Sequence, residues 1–213
     1  TVMKNSGKVT VWDHDLDDVE IPEDRLNDFL FRSGSVRKSS NGSLLFVYKT
    51  ASEIGDLGDN TDSLRESIVS DVLLAKALSG KSVKANVVGH TRWASVGLIS
   101  ESNAHPVESI DTDRGVVTTV QNGDIDNFAD LIASFELKIP NGITTDARVV
   151  PELWQRNKVD GINTEESFIK AARNFEGSVA VAGVDVSQPE SIFLSVKGSG
   201  QALYVGLAED AYL

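Results

Sequence analysis

Three short stretches of this chain carry side chains able to hold both ends of a small zwitterion. The first is Gly89–Pro106, reading GHTRWASVGLISESNAHP. Its Arg92 can donate two parallel hydrogen bonds to a carboxylate, and Trp93 beside it supplies an aromatic wall, so the pair suits the α-carboxylate of an amino acid. The plainer alternative is a surface arginine paired with any of the 32 acidic residues. Ser95 adds a hydroxyl. His105, biased to an extended backbone by Pro106, either touches a ligand or locks its own loop. The second stretch is Gln121–Asn127, QNGDIDN, where Asn122–Gly123 after the apolar run VVTTV reads by itself as a hairpin turn. The third is Thr144–Thr145–Asp146, whose carboxylate can receive an ammonium or cap a helix.

In order and spacing these stretches resemble a known family. His90–Ser95 followed by Asn103–Pro106 is similar to the GHTRWATHG…NAHP signature of class-II glutamine amidotransferases of the glutamine–fructose-6-phosphate aminotransferase (glucosamine-6-phosphate synthase) type. VVTTVQNGDIDN is similar to their VHNGIIEN, and Thr144–Asp146 to their S/T-D-T-E segment. Phe175–Ser178 and Lys197–Gly200 resemble a meander whose Gly-Ser segment lies near the family's pocket. The departures are Val96 and Gln121 for histidines, Asp124 for an apolar residue, and Arg148 for a glutamate, which reverses a charge. The likeness runs from about Gly80 onward, and 1–60 matches little.

The resemblance implies a set of roles. Arg92 would hold the carboxylate of glutamine and Asp146 its ammonium. The Asn122 side-chain amide and the Gly123 N–H would form the oxyanion hole, and Trp93, Ser95 and His105 would shape the pocket. The implied reaction is hydrolysis of glutamine to glutamate and ammonia for transfer to an acceptor, of which a sugar phosphate (fructose 6-phosphate to glucosamine 6-phosphate) is the expected one. No cofactor and no metal is implied. The expected partners are an ammonia-acceptor domain in the same full-length chain and further copies in a homo-oligomer. The implied fold is α+β, a four-layer αββα sandwich of the N-terminal nucleophile hydrolase type, covering 1–213 as one domain incomplete at both ends.

That family attacks the amide with an N-terminal cysteine, and this sequence has no cysteine. Three readings cover the difference. The nucleophile and the RGYDSAG-like segment expected after its strand lie upstream, or Thr1 is itself the nucleophile, or the chain is a catalytically silent amino-acid-binding or interaction module. The first accounts for both missing features.

Composition narrows the class. At 213 residues, 40% hydrophobic and 24% charged, the chain can bury one substantial core. A net charge of −12 with no basic patch argues against nucleic acid as partner. The lack of cysteine excludes disulfides and thiolate metal sites, and no apolar run suits a bilayer, so a soluble cytoplasmic protein with no membrane contact is expected.

The elements that must position these residues can be placed by pattern. Thr1–Trp12 reads as a hairpin or strand edge around Asn5–Ser6–Gly7, and Asp13–Asp18, with His14, as a solvated acidic loop. Ser33–Ser43, with Arg37 and Lys38, reads as a surface loop or mobile insertion. Leu44–Lys49 is a buried strand. A helix capped at Asn60 or Thr61 runs to about Ser79. Val83–Gly89 and Gly115–Val120 are strands delivering the chain into the first two stretches, and Asp124–Phe135 and Thr164–Phe175 are helices. Pro151 interrupts a helical pattern of Val149, Val150, Leu153 and Trp154. Ser178–Val186, Ser191–Lys197 and Ala202–Leu213 make a three-strand meander.

Overall fold

The computed structural model describes residues 3–12, 16, 19–26, 32–50, 58–80, 83–93, 100–111, 115–159 and 161–206. Alternation of polar and apolar residues builds a first sheet from β1 (Met3–Trp12), β2 (Val36–Lys38), β3 (Leu44–Thr50) and β4 (Lys84–Trp93). The order is β2-β3-β1-β4 and every pair is antiparallel. Val9, Val11, Leu44, Phe46 and Tyr48 point to one face, where they meet Leu64 and Ile68 of α1 (Asp59–Val69) and Leu74 and Ala77 of α2 (Val72–Ala77). Lys8, Leu45, Val47 and Lys49, the alternate residues of the same strands, point to the other.

The second sheet has the order β5-β6-β7-β8, also antiparallel. Its strands are β5 (Val107–Glu108), β6 (Val117–Ile125), β7 (Gly177–Asp185) and β8 (Phe193–Lys197). On its outer face Val117, Ile125, Val179 and Val181 pack against three helices: α3 (Phe128–Ser134), α4 (Val149–Asn157) and α5 (Thr164–Arg173). On its inner side Val116 and Val186 meet Leu45 of the first sheet. The layers are therefore helix, sheet, sheet, helix, the four-layer αββα sandwich of an α+β protein.

Several elements differ from expectation. Asn5–Ser6–Gly7 is no turn: β1 is one strand through it, paired on both sides, with Gly7 opposite Tyr48 and Gly89. Ser33–Ser43 is no mobile surface insertion. It contains β2 and the turn into β3, and Arg37 is fully buried. The helix expected from Asn60 to Ser79 is two, because the Asp71 carboxylate accepts the Leu73 and Leu74 N–H groups and starts α2 afresh. Gly58, not Asn60 or Thr61, precedes α1.

Pro151 does not interrupt α4. It stands in the first turn, where a backbone N–H has no partner to lose. The first two meander strands are β7 and β8. Of the third, 202–206 has no regular structure and the remainder lies outside the described residues, as do Asp13–Asp15 and Ser95. Among the described residues, no helix is long and apolar enough to cross a membrane.

Candidate functional site

The three stretches meet at one end of the sandwich. β4 runs through His90 to Trp93, and β6 runs through Gln121, Asn122 and Gly123, so both stretches are strand ends rather than loops after strands. His90 lies against His105, with ring centroids 4.6 Å apart. Buried His105 sets its Nδ1 3.1 Å from the Gln121 carbonyl oxygen. These are the contacts of a loop lock, one of the two roles open to this histidine. Arg92 lies two positions beyond His90, in register opposite Lys4 of β1.

Asn103, which the sequence reading used only as part of the NAHP signature, ties the first stretch to the third. Its Oδ1 accepts the Thr144 N–H at 2.7 Å and the Thr145 N–H at 3.1 Å, and its Nδ2 donates to Thr144 Oγ1 at 3.2 Å. Asp146 follows directly and is buried. Its Oδ2 accepts from Gln121 Nε2 at 2.6 Å and from the Ile125 N–H at 2.9 Å. The Gln121 that replaces the family's histidine is thus the side chain that anchors Asp146.

Asn122 and Gly123 sit differently. Adjacent strand residues project from opposite faces, so the Asn122 carboxamide leaves the face opposite the one where Gln121 meets Asp146. Asn122 is exposed, and its Nδ2 donates to Gln201 Oε1 at 2.7 Å. Gly123 has φ +93°, and a Cβ there would lie 2.0 Å from the Ser178 carbonyl oxygen. Only glycine fits at this position. The structure therefore brings the backbones of all three stretches together, yet holds the carboxylate and the carboxamide with separate partners.

Between the sheets lies an ionic centre that no local pattern announced. Lys8 of β1 pairs with Glu108 of β5, and both are buried. Arg37 lies 3.7 Å from Glu108 and donates to the carbonyls of Ser109 at 2.6 Å and Ile110 at 2.8 Å. Arg148 donates to the Glu108 carbonyl and pairs with Glu152 at 2.8 Å, so the charge reversed at this position is matched one helical turn away. Lys49 donates to the Glu101 carbonyl at 2.8 Å, anchoring the 3-10 turn Glu101–Asn103 to the first sheet.

Burial sets the proton affinities here. It pulls Lys8 down to about 8 against the opposing pull of Glu108, and Lys49 down to about 7. Arg148 is lowered to about 10, again chiefly by burial. Burial opposes ionisation of Glu108, but Lys8 and Arg37 outweigh it and hold that carboxyl below its ordinary value. At Glu152 burial prevails and raises it. Among the described residues, no three His, Asp or Glu side chains are grouped to hold a metal.

The chain is an αββα sandwich that carries the first two segments at the ends of β4 and β6 and the third just before α4. Its relatives by sequence are glutamine–fructose-6-phosphate aminotransferases (isomerizing). The chain is 35% identical to that of Shouchella clausii over 136 residues, covering 62% of this chain and 22% of the relative. It is also 35% identical to that of Geobacillus kaustophilus over 129 residues, covering 60% and 21%. Over this stretch the chain is homologous to those enzymes, and it spans about a fifth of their length. No protein-family model matches. Among solved structures, the glutamine phosphoribosylpyrophosphate amidotransferase from B. subtilis, complexed with ADP and GMP, aligns with a TM-score of 0.48 at 15% identity, over 89% of this chain and 37% of that one.

Proposed function

We propose that the chain is the glutaminase part of an aminotransferase, hydrolysing glutamine to glutamate and ammonia for an acceptor, of which a sugar phosphate is the best supported. What carries this reading is the continuous chain of contacts from His90 through His105 and Gln121 to Asp146, with Asn103 closing it. These contacts join three separated stretches whose order and spacing resemble those of the family's segments. Arg92 holds the substrate carboxylate, with Trp93 and Ser95 beside it. The Asn122 amide and the Gly123 N–H stabilise the oxyanion that forms when the amide carbon is attacked. Asp146, which meets Gln121 on the face of β6 opposite the Asn122 carboxamide, takes the ammonium only after this strand end rearranges to bring the two onto one side. Residues 1–213 form one domain in this reading, and the acceptor site lies in the remainder of the full-length enzyme.

The attacking thiolate is not among these residues, which contain no cysteine. The test therefore uses the full-length protein, with glutamate release measured against glutamine concentration. Arg92→Ala is expected to raise the glutamine KM strongly, and unchanged saturation would remove the arginine from its role. A second reading, an amino-acid-binding module without turnover, is favoured by the engagement of Asp146 with Gln121 and Ile125. Glutamine binding with no glutamate release in the full-length protein would establish it.

A further inference from the structure

The segment after β8 places a glutamine side chain on one of the two donors assigned to substrate glutamine and beside the other. Gln201 Oε1 accepts from Asn122 Nδ2 at 2.7 Å. The Nε2 of the same carboxamide covers the open side of Gly123, where a Cβ would come 3.0 Å from it, without accepting from the Gly123 N–H. The segment is fastened one step earlier, where Ser178 Oγ of β7 donates to the Ser199 carbonyl. Asn122 is exposed and Gln201 half-buried, so the contact stands at the surface, open to competition.

We propose that Gln201 is an internal stand-in for the substrate amide, a latch that closes the oxyanion hole until glutamine displaces it. The inference rests on the reading of Asn122 and Gly123 given above. An Asn122 amide placed to donate to the carbonyl of a primary carboxamide donates to any such group held within reach, and Gln201 supplies one within the chain. Nothing is transferred and no bond is made or broken. The latch lowers apparent affinity by the fraction of molecules in which it is closed. A surface hydrogen bond of ordinary net strength corresponds to a closed-to-open ratio of roughly two to ten.

The experiment is a glutamine titration of the full-length protein and its Gln201→Met variant, which keeps side-chain length but cannot offer a carboxamide. The Asn122 side-chain amide is followed by NMR, alongside calorimetric affinity. The latch predicts that Gln201→Met shifts the Asn122 amide before any ligand is added, and binds glutamine roughly three- to tenfold more tightly than wild type. Equal affinities, with glutamine perturbing Asn122 in both proteins, would overturn the latch and leave the site reading intact. No perturbation of Asn122 by glutamine in either protein would overturn both.

Discussion

The buried lysines make folding stability rise with pH above neutrality, the same sign that a carboxylate with a depressed pKa gives in acid. Lys49 titrates at about 7 and Lys8 at about 8 in the folded chain, both chiefly because the space between the sheets excludes water. In the unfolded chain each returns towards 10.5. Between the folded and unfolded values the unfolded state carries protons that the folded state does not, so stability rises with pH. The slope is about 1.4 kcal/mol per pH unit for each such group. From pH 7 to 8 Lys49 alone contributes, and above pH 8 Lys8 joins it, roughly doubling the slope. The lowered pKa of Glu108 places its own contribution in acid, lost as pH falls through its folded value. Burial-raised Glu152 acts in the opposite sense to Glu108. Urea unfolding followed by the fluorescence of buried Trp154, at pH 7, 8 and 9, reads the effect. Lys49→Met is expected to flatten the first interval and to roughly halve the slope of the second. A wild-type midpoint that is flat or falls from pH 7 to 9, or a Lys49→Met variant that keeps the full slope, would refute the reasoning.

Two further variants probe what positions the site. Asn103→Ala strips the acceptor from two backbone N–H groups at Thr144 and Thr145. It should cost about 1–3 kcal/mol in chemical denaturation and weaken glutamine binding by releasing the segment that carries Asp146. Gly183→Ala would set a methyl 2.6 Å from the Trp154 ring, in the packing of β7 against α4. A loss of about 1–3 kcal/mol is expected from overpacking, read as a lowered unfolding midpoint.

The motif stretches stood out by their likeness in order and spacing to a family's segments, β3 because it is a continuous apolar run, and α5 because its burial follows a helical period. What escaped depends on partners far along the chain. Arg37 sits in SGSVRKSSNGS, a context that reads as solvated, and its acceptors at Ser109 and Ile110 are more than 70 residues away. Lys8 and Glu108 are 100 residues apart, and neither sequence neighbourhood says that both face the space between two sheets. Gly7 reads as a turn until a strand is seen on each side of it. The break between α1 and α2 was available locally. Ser70–Asp71 before an apolar run is a cap pattern, overshadowed by the apolar face that continues across it, and the Asp71 carboxylate is further fixed by Arg25 and Tyr48. Asp146 was singled out from sequence, but its anchoring by Gln121 was not, because the alternation of β6 decides which face each side chain meets.

The most direct test of the account is the steady-state rate of glutamate release by the full-length enzyme carrying Asn122→Ala. If the Asn122 amide and the Gly123 N–H stabilise the oxyanion, kcat falls on the order of 10²–10³-fold while the glutamine KM stays close to wild type. A wild-type kcat in a folded Asn122→Ala enzyme would contradict the assignment of this strand end as the catalytic centre.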